Sequence, residues 1–176
     1  MRRAISAIVL ALALCLSVLP PTPASALTVE VGQPVPKVTL PTIEGASVDI
    51  SSYKGKIVLI AFWASWCPRC GEELTFLQGI YKSSPDIVVL AVNQESQNIS
   101  RAHIERVKNT LKEWKIDFPV LLDRNLDAWH AFGINALPTS VILDRKGIIR
   151  YAEANYYWAT QERIAEVIQR IRQEKE

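Results

Sequence analysis

Seven consecutive apolar residues, Ile57-Val58-Leu59-Ile60-Ala61-Phe62-Trp63, run without a charge or a turn residue and lead directly to Trp66-Cys67-Pro68-Arg69-Cys70. A short, β-branched-rich run of this kind is the pattern of a strand buried on both faces inside an α/β sheet. Beyond the cysteines, Glu72 to Tyr81 has helical composition, with Leu74, Leu77 and Tyr81 on one side. The order is therefore central strand, C-x-x-C, helix, and the spacing predicts that the two cysteines open the helix.

A thiolate, not a thiol, attacks disulfides, and the first turn of a helix favours negative charge through its unpaired N–H groups and its dipole. This makes Cys67 the expected nucleophile, with Arg69 adding a positive charge nearby. Cys70, one turn further on, is the expected resolving thiol, able to expel a partner from the mixed disulfide. Pro68 suits a first helical turn because it has no N–H to lose. Trp66 is expected to form part of the contact surface beside Cys67. Two other readings of C-x-x-C fare poorly. Zinc needs four ligands, and besides this pair the chain beyond its leader offers only His103 and His130. A structural bridge across so small a loop stabilises little.

Glu73 follows Cys70 by three residues and projects near the same helical face. Two readings of it stay open on position alone: a partly desolvated carboxyl with a raised pKa that shuttles the proton of Cys70, or an ordinary solvated glutamate favoured by the helix dipole. Leu137-Pro138-Thr139 enters a strand, where a proline is unusual enough to suggest a cis bond in a tight turn, a plain trans loop being the alternative.

The first residues stand apart. Arg2 and Arg3 precede an apolar run from Ala4 to Leu19, prolines 20, 21 and 23 close it, and Ala24-Ser25-Ala26 follows. This is the layout of a signal peptide over residues 1–26, cleaved after Ala26, with one domain over residues 27–176. An uncleaved membrane anchor is the alternative, although the run is shorter than the roughly 20 residues of a spanning helix. Lipid modification at Cys15 is disfavoured by the bulky Leu14 before it. Without the leader's two arginines, the 20 Lys+Arg become 18, equal to the 18 Asp+Glu. Such neutrality gives no electrostatic basis for binding nucleic acid or anionic lipid.

Elsewhere, Val29 to Pro41 is apolar but broken by Gly32 and three prolines, which predicts short extended pieces at a sheet edge, and Ala46 to Ile50 alternates like a second short strand. Ile87 to Val92 is a second buried strand, and Ser100 caps a helix over Arg101 to Trp114. A short extended piece is predicted over Phe118 to Leu122, then a helix over Asp123 to Phe132 stopped by Gly133. Thr139–Leu143, the turn Asp144-Arg145-Lys146-Gly147 and Ile148–Tyr151 form a hairpin signature. From Thr160 onward, Ile164, Val167, Ile168 and Ile171 fall at helical spacing. The sum is an α/β chain with a central mixed β-sheet flanked by helices.

The segment Phe62 to Cys70 resembles the active site of thioredoxin-like proteins. Gly32-Gln33-Pro34-Val35-Pro36 with Gly55 to Leu59, and Phe132-Gly133 with Leu137 to Ser140 and Asp144 to Gly147, are similar to the extracytoplasmic TlpA/ResA branch. The resemblance implies a thioredoxin fold with an N-terminal β extension and a central helix-containing insertion between Val92 and Phe118. It also implies that Pro138 is a cis-proline facing the cysteines, that the Leu137 backbone pairs with bound substrate, and that Glu73 is a buried active-site glutamate. Glu95 matches a glutamate sometimes placed near the substrate cavity. There are departures: Thr75 stands where a kinking proline is common, Ala61 where cytosolic thioredoxins carry an aspartate, and Arg69 is an uncommon residue between the cysteines.

Members of the branch are generally reductants, which implies a periplasmic or secreted, monomeric oxidoreductase with no cofactor beyond its redox-active disulfide. Its expected partners are a disulfide-containing exported protein or apocytochrome c, as in cytochrome c biogenesis, and a membrane thiol electron donor of the DsbD/CcdA type. A disulfide oxidase or isomerase on the same fold is the alternative direction. A peroxidase is disfavoured because Ala64 and Ile60 stand where such enzymes carry a hydroxyl residue and a proline. A Cu(I) delivery protein would use both thiolates, with His130 as the third ligand.

Overall fold

The computed structural model describes residues 29–95 and 100–174, so the predicted leader lies outside the described residues. The apolar run forms β3 (Ile57–Trp63), buried along its whole length. It pairs in parallel with β4 (Ile87–Asn93) and antiparallel with β6 (Thr139–Leu143). With β5 (Val120–Leu122) and β7 (Ile149–Ala154) the sheet order is β5-β4-β3-β6-β7, mixed as expected. Alternate residues of β3 face two separate apolar layers. Ile57, Leu59, Ala61 and Trp63 meet α1 (Cys70–Ser83), α2 (Arg101–Glu113) and α4 (Trp158–Gln173). Val58, Ile60 and Phe62 meet α3 (Asp127–Ala131) and the small antiparallel pair β1 (Thr39–Pro41) and β2 (Ser47–Asp49). Fully burying one such side chain contributes about 1.5–3 kcal/mol, so β3 anchors both layers.

The N-terminal segment covers both edges of this sheet. Gly32 and Val35 donate to the carbonyls of Ile149 and Gly147 at 2.7 and 2.9 Å, while Ile43 donates to Val120 at 2.9 Å beside the β5 edge. Edges covered in this way cannot template pairing with another chain. Between β6 and β7, Gly147 at φ 80° supplies the left-handed position of the predicted turn, and the Asp144 carboxylate accepts from the N–H groups of Lys146 and Ile148.

Four of the element boundaries differ from expectation. Only Cys70 belongs to α1; Cys67 lies in the preceding turn, its carbonyl accepting from Cys70 N–H at 3.2 Å. Pro68 explains this, since a proline disfavours helical backbone in the residue before it, and Pro68 itself also stays outside the helix. The helix predicted from Asp123 begins at Asp127, because the buried Asp123 carboxylate accepts from the N–H groups of Ala128 and Trp129 and Leu126 turns left-handed at φ 62°. β7 and α4 are longer than the patterns suggested, running on to Ala154 and starting at Trp158.

The insertion is the helix α2 with its tail. Ser100 caps it as predicted, and His103 completes a capping box by accepting from Ser100 N–H at 3.1 Å. At its end, Trp114 packs on Trp63 with ring centroids 5.6 Å apart and lies over Gly71, where an added Cβ would stand 2.9 Å from the indole. Gly71 is thus required by contact, in a helix that would otherwise gain about 1 kcal/mol from alanine. Thr75, in the place of a kinking proline, leaves α1 continuous and bonds its hydroxyl back to the Gly71 carbonyl at 2.7 Å. Urea denaturation should find Trp114→Ala destabilising by about 2–3 kcal/mol. Gly71→Ala should destabilise the wild type yet be neutral or stabilising in the Trp114→Ala background, and a destabilisation of equal size in both backgrounds would refute the contact.

Candidate active site

The disulfide Cys67–Cys70 sits between the C-terminal end of β3 and the start of α1, with Cα atoms 5.4 Å apart. Cys67 is 4% exposed and Cys70 fully buried, both within the apolar layer that holds Leu74, Trp63 and Ala64. The sequence places the pair correctly between strand and helix. Trp66, by contrast, is 62% exposed, and Pro68 is exposed beside it.

The peptide Leu137–Pro138 is cis, as expected. Strand register carries it to the dithiol: Thr139 pairs with Phe62, which puts Pro138 alongside the end of β3 from which the chain runs to Cys67. The Pro138 carbonyl accepts from Asn155 N–H at 2.7 Å, and Leu137 packs against both apolar layers.

Glu73 is 1% exposed, which excludes the solvated reading. One carboxyl oxygen accepts from the Ser140 hydroxyl; the other has no partner among the described residues. Burial raises its pKa to about 7, with the Ser140 bond opposing the shift. Removal from water penalises the charged form, and a single hydrogen bond compensates only part of that. Ser140 is in register with Ala61, so the place of the thioredoxin aspartate is filled by a methyl group and the polar contact comes from the neighbouring strand. Tyr156 completes the surround: burial pushes its phenol up, and the charges of Glu73 and Glu72 add to that. Trp63 Nε1 and Asn93 Oδ1, on register partners of β3 and β4, are also buried without partners among the described residues.

Two clamps hold the turn that carries Cys67. Glu95 accepts from Ser65 through both oxygens, at 2.6 Å from the N–H and 2.9 Å from the hydroxyl. Its role is thus to fix the loop ahead of Trp66. On the other side, Arg69 donates to the Tyr156 carbonyl at 2.8 Å and stacks over Tyr157. Arg69, expected as a positive charge near Cys67, makes both of these contacts with the β7–α4 loop. Ser140, Tyr156 and the Ser65–Glu95 pairing were not legible as site features. Ser140 alone left a signal, as a polar residue that with Thr139 opens an otherwise apolar strand.

His130 does not join the cysteines. It lies on α3, across the sheet, lining a cavity of about 420 Å³ with Lys37, Thr39 and Asp127. Among the described residues no three of His, Cys, Asp and Glu gather as a metal site, so His130 does not stand as the third ligand of the copper reading.

Residues 31–152 match the family model described as AhpC/TSA. A thiol-disulfide oxidoreductase ResA of Bacillus thuringiensis subsp. konkukian is 26% identical over 145 residues, covering 81% of this chain and 79% of the relative. A thioredoxin-like protein YneN of Bacillus subtilis is 32% identical over 126 residues, covering 69% of this chain and 70% of the relative. Among solved structures, a putative thiol:disulfide interchange protein DsbE from Chlorobium tepidum superposes with a TM-score of 0.70 at 25% identity, covering 82% of this chain and 99% of that one. A thioredoxin-like sheet that ends in a buried C-x-x-C disulfide is what these relatives lead one to expect, and the chain accordingly belongs to the AhpC/TSA family as a thiol-disulfide oxidoreductase of the ResA and DsbE type.

Proposed function

We propose that this oxidoreductase works as an extracytoplasmic reductant of protein disulfides. The observation that carries the direction is the burial of both sulfurs in an apolar layer next to the buried carboxyl of Glu73. Dithiols become oxidants when the fold stabilises the reduced thiolate, and burial works against that form.

In the reaction, the Cys67 thiolate attacks one sulfur of a client disulfide, and the other client sulfur leaves as a thiolate. Cys70 then loses its proton to Glu73 and attacks the Cys67 sulfur. The client departs with both sulfurs reduced, two electrons having passed to it, and Cys67–Cys70 is left oxidised. A carboxyl with a pKa of about 7 is half ionised at neutral pH, which suits it to take and return that proton. Trp66, Pro68, Leu137 and Pro138 form the client-facing surround. The client is a disulfide-containing exported protein, with apocytochrome c as one form of it, and the electrons return from a membrane thiol carrier of the DsbD/CcdA type. The leader over residues 1–26 supports an extracytoplasmic site, and no helix among the described residues is long and apolar enough to cross a membrane.

Equilibration of the purified protein with dithiothreitol mixtures should give a reduction potential below about −200 mV; a value well above that would assign it to disulfide formation instead. Cys67→Ser should abolish insulin reduction, and Cys70→Ser should accumulate a mixed disulfide with insulin, visible on a non-reducing gel.

Glu73 also ties stability to pH. Its folded pKa is raised, so between about pH 4.5 and 7 the unfolded chain gives up a proton that the folded chain keeps, and stability falls as pH rises through that window. Denaturant titrations should show the wild type losing about 3 kcal/mol relative to Glu73→Gln across it, with no further divergence above pH 7. Parallel curves for the two proteins would mean that Glu73 is hydrated in solution.

A further inference from the structure

Arg69 sits between the two cysteines, yet its hydrogen bond to Tyr156 and its stacking on Tyr157 reach 87 and 88 residues further along the chain, into the β7–α4 loop. Its guanidinium donates to the Tyr156 carbonyl at 2.8 Å, and its Cζ stands 5.3 Å from the centroid of the Tyr157 ring. On its other side the loop is held by Asn155, left-handed at φ 69°, whose N–H donates to the Pro138 carbonyl at 2.7 Å. The loop is thus fastened at one end to the cis-proline turn and at the other to the dithiol turn.

The side chains it presents divide sharply. Tyr156 is buried at 4% exposure, whereas Tyr157 is 49% and Trp158 81% exposed. The carbonyl that Arg69 grips belongs to the peptide joining Tyr156 to Tyr157, whose N–H donates to the Thr160 hydroxyl at 3.0 Å, so this bond and the α4 cap together set the direction in which the two outward aromatics leave. With Trp66 at 62%, they make up three of the five large apolar side chains exposed among the described residues. All three are adjacent to the dithiol turn or to the loop fastened to it. An aromatic rim continuous with a disulfide-exchange site fits an extended apolar segment of polypeptide, and has little to offer a small charged disulfide.

We propose that Arg69 is a positioning residue that latches the β7–α4 loop to the dithiol turn and holds Tyr157 and Trp158 in place to receive an extended apolar segment of the client protein. The inference rests on the disulfide-exchange reading of Cys67 and Cys70. It separates two roles for a cation in this position. A charge acting on the thiolate alters every exchange reaction alike; a latch acts through the loop and alters only those that use the rim.

The test compares wild type, Arg69→Ala, Arg69→Lys and Tyr157→Leu in reduction of insulin and of oxidised glutathione, together with the reduction potential. Arg69→Ala should raise KM for insulin about ten-fold while kcat, the rate with oxidised glutathione and the glutathione equilibrium constant stay within about two-fold of wild type. Arg69→Lys, which keeps the charge without the planar face that stacks on Tyr157, should fall between the two in KM. Tyr157→Leu should raise KM in the wild type and add little in the Arg69→Ala background. Equal losses with both substrates, or a shifted equilibrium constant, would overturn the latch in favour of a direct effect on the thiolate; unchanged KM in Arg69→Ala would overturn it as well. A wild type that reduces neither substrate would instead count against the exchange reading itself.

Discussion

Burial of β3 on both faces is the constraint from which the rest of the molecule takes its position. A strand with no polar side chain must be covered above and below, and its backbone groups must be paired on both edges. The first demand brings α1, α2 and α4 to one face and α3 with the β1–β2 pair to the other; the second sets β4 and β6 beside it. Because the strand is dry to its last residue, whatever follows begins in a dry place. The turn with Cys67, the first turn of α1 and the start of β6 all meet at that point, and the chemistry inherits the low polarity of the core.

That inheritance explains why so few polar groups suffice. Glu73 is shifted by desolvation and moderated by one hydroxyl, with Ala61 where a second carboxylate stands in cytosolic thioredoxins. A pair of buried carboxyls would titrate together, and neither would have a pKa of its own. With Ala61 and Ser140 on the strands beside it, Glu73 has no second carboxyl from β3, and its proton affinity answers to how dry the site is kept. The groups that keep it dry are apolar or neutral: the β3 and β6 strands, the Leu74 turn of α1 and the Tyr156 ring.

Much of this was legible in the chain itself, because the strongest signals are local. The unbroken run of β3, the C-x-x-C after it, the Ser100 cap and the Gly147 turn each follow from a few neighbouring residues, and each stands where the pattern puts it. What the sequence mislaid are boundaries decided by competition. Pro68 holds Cys67 out of a helix that the cysteine spacing alone would start there, and the Asp123 carboxylate caps α3 four residues late by binding N–H groups that the helical pattern assigns to its interior. The contacts that finish the site were out of reach for another reason. Ser65 to Glu95 spans 30 residues, Glu73 to Ser140 spans 67 and Arg69 to Tyr156 spans 87, and no periodicity relates partners so far apart.

These long-range contacts have a common form. In each, a side chain close to the dithiol in sequence is joined to a loop or strand from a distant part of the chain: the β4 end through Glu95, β6 through Ser140, the β7–α4 loop through Arg69. Local sequence puts two sulfurs at the head of a helix, which many chains can do. Depth, proton affinity and the shape of the rim come from the three distant segments. Substitutions in those segments can therefore retune the same dithiol without touching the motif, and this is a physical route by which one fold and one C-x-x-C can serve partners of different kinds.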